Sequence, residues 1–175
     1  MRISTHDWTP DDVIGGNAVL NFVNTVDKWT GEPVDRLGDA STVARWAEVA
    51  GLLYGDDMKR VAKEIASDPK GAAKFYKDAA RLRAALWRIF HAVANGNDVS
   101  DDDLALIDDW KARAARHCRI ARAGDGFRRR CTEAAPALER AGRLIVEAAE
   151  ELLLEGRLDR LHVCGGDSCE WMFLD

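Results

Sequence analysis

Apolar residues recur at helical spacing along most of this chain. Ala18, Val19, Leu20, Phe22, Val23 and Val26 predict a first helix from Asn17 to Asp27, broken by Gly31-Glu32-Pro33. A second helix, capped near Asp39 or Ser41, carries Val43, Trp46, Ala47 and Ala50 on one face and stops at Gly51. Met58, Val61, Ala62 and Ile65 predict a third from Asp56 to Ser67. Beyond Asp68-Pro69 and Gly71, a long helix from Ala72 to Ala94 turns Phe75, Ala79, Leu82, Leu86, Ile89, Phe90 and Val93 inward and ends at Asn95-Gly96. Ser100 and the acids Asp101 to Asp103 suit the positive end of the next helix, with Leu104, Ile107 and Trp110 facing the core.

The period then changes. Cys118 and Ile120 alternate with charged or small residues, Ala123-Gly124-Asp125-Gly126 makes a turn, and Phe127 and Cys131 alternate again, which predicts a β-hairpin. Helical spacing returns from Ala134 to Leu154 through Leu138, Ala141, Ile145, Ala148 and Leu152, and Gly156 closes it. A last apolar strand, Trp171 to Leu174, is too short to stand alone. The fold class expected is mainly α (α+β): a helical domain over 1–160 with one β-hairpin, and a small C-terminal module resembling a zinc knuckle over 161–175.

Composition narrows the function classes. Hydrophobic content of 47% supports a true core, and 31% charged residues suit a soluble surface. No apolar run approaches the roughly 20 residues of a membrane helix, and Met1 to Asp12 has neither the basic start nor the apolar stretch of a signal peptide. A cytoplasmic protein without a membrane partner is expected. In that compartment disulfides are unusual, so Cys118 and Cys131 are expected as small buried hydrophobes. A net charge of −5 argues against a nucleic-acid-binding surface over the whole molecule. Locally, Lys111 to Arg130 is basic, and Arg128, Arg129 and Arg130 could hold phosphates as rigid forks. Alternating arginines on a half-buried hairpin are equally what a solvated face looks like.

Asn17, Asn21, Asn24 and Lys28 fall on one side of the first predicted helix, where Glu, Lys or Arg would be the usual choice. Asn21, Asn24, Thr25 and Asp35 therefore form a candidate hydrogen-bonding set. Either Asn21 and Asn24 pin the Pro33–Leu37 loop through backbone hydrogen bonds, with Asp35 as the acidic neighbour, or the set lines a small-molecule pocket. Catalysis has little support: Gly-x-Ser-x-Gly, a phosphate-cradling glycine loop and His-Glu-x-x-His are all missing from the sequence, and no enzyme is assigned.

Cys164 and Cys169 flank a glycine turn, as half of a tetrahedral zinc site would. His162, two residues earlier, is a possible third ligand. The stretch from Cys164 to Asp175 resembles the opening of a CGNR-type zinc finger, with a Cys-x4-Cys knuckle leading into a Trp-x-Phe strand. Leu20-Asn21-Phe22-Val23-Asn24-Thr25, Pro33-Val34-Asp35-Arg36-Leu37, Trp46-Ala47, Gly51-Leu52 and the Arg81–Leu86 helix resemble, in order, the ABATE domain found upstream of such fingers. The resemblance implies a bacterial, stress-induced transcription regulator whose finger contacts DNA. The finger's second cysteine pair and basic tail do not occur in these 175 residues. Zinc is thus expected in a complete finger, not on two ligands alone. An open apolar tail would also favour a homodimer. The leading expectation is a regulator with a ligand-sensing helical domain and a DNA-binding finger. The alternative is a small-molecule-binding module built around Asn21 and Asn24.

Overall fold

Phe75, Ala79, Leu82, Leu86 and Ile89, three or four residues apart, with Phe90 four after Leu86, make the longest helix a spine that buries one continuous face. The computed structural model describes residues 1–132, 135–166 and 169–175. The helices are α1 (Ala18–Val23), α2 (Ala40–Val49), α3 (Asp56–Ser67), α4 (Pro69–Ala94), α5 (Asp101–Ala115) and α6 (Ala137–Glu155). Around α4 the core gathers Phe22 of α1, Trp46 of α2, and Leu138 and Ile145 of α6. Trp110 of α5 lies against α6 where Gly142 leaves room; a Cβ there would occupy the space of the indole ring.

Among the described residues the strands form three small sheets. β1 (Arg2–Ile3) runs parallel to β3 (Val34–Asp35), which pairs antiparallel with β2 (Val26–Asp27). β4 (Cys118–Ala123) and β5 (Gly126–Cys131) make the expected hairpin, and β6 (Leu161–Val163) and β7 (Met172–Leu174) make a second near the C-terminus. The mainly α (α+β) class holds, with more sheet than the sequence suggests. No helix among the described residues is long and apolar enough to cross a membrane.

Where boundaries differ, side-chain capping explains it. The first helix is six residues long, not eleven. Asn17 caps it by accepting from Val19 N at 2.9 Å, and Asn24 is its C-cap. Val26 and Asp27 are therefore strand, and Lys28 takes a left-handed φ of 55°. Asn17, Asn24 and Lys28 do not share one helical face. α4 begins at Pro69, three residues early: proline lacks the N–H that a first turn leaves unpaired, and Asp68 accepts from Gly71 N at 2.9 Å. The expected start of the last helix, Ala134, lies outside the described residues. Two inward assignments also fail: Ala62 and Leu104 are exposed.

Cys118 and Cys131 are not buried hydrophobes. They are directly opposite each other in the β4–β5 register and are joined by a disulfide. The four-residue turn centres the hairpin so that its two end residues meet, and both are half-buried.

Candidate functional site

The polar residues around the Asn-Thr segment divide into two groups. Asn21 Oδ1 accepts from Gly15 N at 2.7 Å. Asn24 faces the terminal strand: its Nδ2 donates to Met172 O at 2.9 Å, and its Oδ1 accepts from Met172 N at 2.8 Å. One amide thus satisfies both backbone groups of a residue 148 positions away. The loop from Pro33 to Leu37 is pinned by other means. Asp35 Oδ1 accepts from Leu37 N at 2.8 Å, and Thr25 O accepts from Arg36 N at 3.0 Å.

Thr25 and Asp35 meet through Arg83, which the sequence reading did not single out. Arg83 donates to Thr25 Oγ1 at 2.7 Å and to Asp35 Oδ2 at 2.5 Å. Tyr76 donates to the same Asp35 oxygen at 2.7 Å. Burial pushes the Asp35 carboxyl up, but the hydrogen bond and charge of Arg83, with Leu37 N and Tyr76, hold it below its ordinary value. Burial and Asp35 push the Tyr76 hydroxyl up to about 12. A signal for both partners existed: Tyr76 and Arg83 are seven residues apart on the long helix, and Arg83 follows Leu82 on its apolar side. Asn21, Asn24, Thr25 and Asp35 are at most 6% exposed. Each spends its hydrogen bonds on backbone or on a buried neighbour, so the arrangement holds loops and the last strand in place.

The cysteine knuckle is carried by β6 and β7. Leu161 and Met172 enter the core, Cys164 N donates to Trp171 O at 2.8 Å, and Cys169 N donates to Gly166 O at 3.0 Å. Trp171 donates from its indole to Asp27 at 3.2 Å and lies under the Arg36 guanidinium, 5.3 Å from the ring centroid. Glu170 accepts from Thr30 N at 2.8 Å and from the Thr30 hydroxyl. The knuckle therefore sits against the β2–β3 turn. Residues 167 and 168 of its tip lie outside the described residues.

Both thiols are free. The backbone at Gly166, then the Cys169 thiol, lower the Cys164 thiol, whereas burial raises that of Cys169. Their chemistry suits zinc, which takes thiolate ligands, but a closed site takes four. Among the described residues no group of three His, Cys, Asp or Glu side chains could hold a metal. His162 turns instead to Asp175, 3.1 Å away. Cys164 and Cys169 are thus two ligands of the right kind and an incomplete set.

The hairpin arginines also divide. Arg129 forms an ion pair with Glu147 of α6, while Arg128 and Arg130 stand exposed on the other side of the strand. Arg130 is directly opposite Arg119, and Arg128 opposite Ala121.

A search of curated proteins finds no match. Residues 16–156 match the family ABATE, described as "Putative stress-induced transcription regulator". That span takes in the Asn-Thr segment, the Asp35–Arg83 pair and the basic hairpin, and ends just before the knuckle. Because the match covers well over half of the chain, this protein belongs to the ABATE family.

Proposed function

We propose that this protein is a cytoplasmic, DNA-binding transcription regulator in which Cys164 and Cys169 are half of a zinc finger. The observation that carries this reading is the family match, joined to two free thiols on the link between β6 and β7. The chain's own residues prepare that knuckle. Asn24 fixes Met172, Asp27 and Arg36 fix Trp171, and Thr30 holds Glu170. Zinc, when bound, would hold the two thiolates at one point and order the turn between them. The remaining two ligands would come from outside the described residues. Arg119, Arg128 and Arg130 add a basic face on the β4–β5 hairpin, suited to phosphate oxygens.

Two measurements test the reading. Metal analysis of this chain, and of the chain continued with whatever its gene encodes past Asp175, should find about one zinc per chain in the continued form only. Zinc absent from both would remove the finger. Anisotropy of labelled duplex DNA across a salt series should show affinity falling steeply with salt, because bound phosphates release counterions. Replacing Arg128 and Arg130 together by alanine should flatten the log–log slope by about 2 if each holds one phosphate. An unchanged slope would leave the hairpin a solvated face.

A further inference from the structure

Exposed apolar side chains and unmatched charges collect on one side of α5 and α6. On α5, Asp101, Leu104, Asp108, Lys111 and Ala115 recur every three or four residues and share a face. On α6, Arg143, Glu147, Glu151 and Leu154 do the same. Lys111, Ala115, Arg143 and Glu147 line the groove between the two helices beneath β4, so both faces are turned to that groove. The ion pairs Arg113–Glu139 and Lys111–Glu150 make the helices antiparallel, which puts Leu154 at the same end as Leu104.

The hairpin stands at the other end. In the β4–β5 register Ile120 is opposite Arg129 and Phe127 opposite Arg122, so these four side chains leave the ribbon on one face. Arg129 reaches Glu147 of α6, which turns that face to the groove. Ile120 and Phe127 are exposed all the same, and the Arg122 guanidinium lies 5.8 Å from the Phe127 ring centroid. Among the described residues Arg122 has no carboxylate partner. Leu104, Leu154 and the carboxylates of Asp101, Asp108 and Glu151 are exposed as well. None of those three acids has a basic partner among the described residues. One end of this face is thus apolar and basic, the other apolar and acidic. About 16 Å of α5 separates Leu104 from Ala115, beyond which the hairpin begins.

We propose that this face joins two copies of the chain as a two-fold dimer. The hairpin tip of each copy, Ile120 and Phe127, would pack on Leu104 and Leu154 of the other, with Arg122 among Asp101, Asp108 and Glu151. The face is complementary to itself. One chain carries both ends on the same side, so a half-turn brings both pairs together at once and closes the assembly. A parallel pairing would set basic against basic and acidic against acidic. Exposed apolar groups rimmed by charge are what a protein partner covers. Arg119, Arg128 and Arg130 lie on the opposite face of the hairpin, and the dimer stands whether or not the protein binds DNA.

The test is sedimentation velocity of the full chain from about 1 to 100 μM. The wild type should pass from one to two copies per particle. Arg122→Glu should weaken the dimer at least about 100-fold, because like charges then meet at both ends of the interface. Asp108→Lys with Glu151→Lys should do the same. None of these side chains is buried within one chain, so both variants should keep the circular-dichroism spectrum of the wild type. Mixed together, the two monomeric variants should dimerise, since one contact is the native one and the other has its charges exchanged. A wild type that stays monomeric at about 100 μM would overturn the proposal and leave the face to a different partner. A dimer that survives both variants is held by another surface, and a mixture that stays monomeric has no such pairing; either result would overturn it as well. Should a variant not fold, hydrogen exchange of the wild type decides. Protection over 101–108 and 120–127 should rise with concentration, and exchange there that ignores concentration would overturn the proposal.

Discussion

The chain builds two hairpins that each carry a cysteine pair, and it holds them in opposite ways. The β4–β5 hairpin has six-residue strands, a covalent closure between Cys118 and Cys131, and side chains largely in water: Ile120 is 80% and Phe127 72% exposed. The β6–β7 hairpin has three-residue strands, free thiols, and Leu161 and Met172 in the core. The first is stabilised by its own ladder and a bond between its ends. The second is far below the size at which a hairpin holds itself and depends on distant residues. A cysteine pair is therefore treated in two ways here: in one hairpin it is the fastening, and in the other distant residues do the fastening and both thiols stay free.

This contrast can be broken at several points, with effects that should fall in order. Asp35→Ala strands the buried Arg83 without its partner beneath the sheet on which the inner hairpin rests. Breaking such a pair should cost about 3–5 kcal/mol, read by urea denaturation. The pH dependence follows from the same group. Because its folded pKa is depressed, Asp35 contributes stability that is present above the ordinary carboxylate pKa of about 3.9 and is lost as pH falls through the folded value. Urea midpoints of the wild type should drop more steeply below about pH 4 than those of Asp35→Asn.

Asn24→Ala removes both hydrogen bonds to Met172 and leaves its backbone groups buried and unpaired. A loss of about 3 kcal/mol is expected. Hydrogen exchange should quicken at Met172 and Leu174 and stay unchanged in β4–β5. The converse experiment is Cys118→Ser with Cys131→Ser. Opening a loop with a sequence separation of 13 should cost at most about 3 kcal/mol, and less where the hairpin frays by itself. Exchange should quicken in β4–β5 alone. If either variant loosened both hairpins equally, the two would be one cooperative unit. The smallest effect belongs to Ile120→Thr and Phe127→Thr, each within about 0.5 kcal/mol, because little of either side chain is buried.

The parts legible in the sequence were those settled by neighbours along the chain. α3 falls on its expected bounds because Asp56-Asp57 opens it and Asp68-Pro69 follows it. The β4–β5 hairpin shows in the alternation and the Gly124-Asp125-Gly126 turn. The disulfide was legible too, since a hairpin centred on that turn must pair residue 118 with residue 131. An argument from compartment obscured it. The asparagines were recognised as unusual but given the wrong partners: Asn24 bonds Met172, and no local pattern links positions 148 residues apart. Arg83 was hidden for a related reason. Its place on the apolar side of the long helix could be read, but not its partners, because Asp35 and Thr25 arrive from another part of the chain.

The paired contact between Asn24 and Met172 has one further consequence. On the side of β7 turned away from β6, Met172 gives both of its backbone groups to that single amide, and Leu174 N donates to Gly15 O at 3.2 Å. A side chain and a loop thus take the place of the next strand, and the groups that would template strand addition are already engaged. A second molecule approaching this edge of β7 would meet side chains, the exposed Phe173 near them, and not an open ladder. Any assembly through this tail would be recognition by side chains, specific to their chemistry, instead of backbone pairing that any extended peptide could provide.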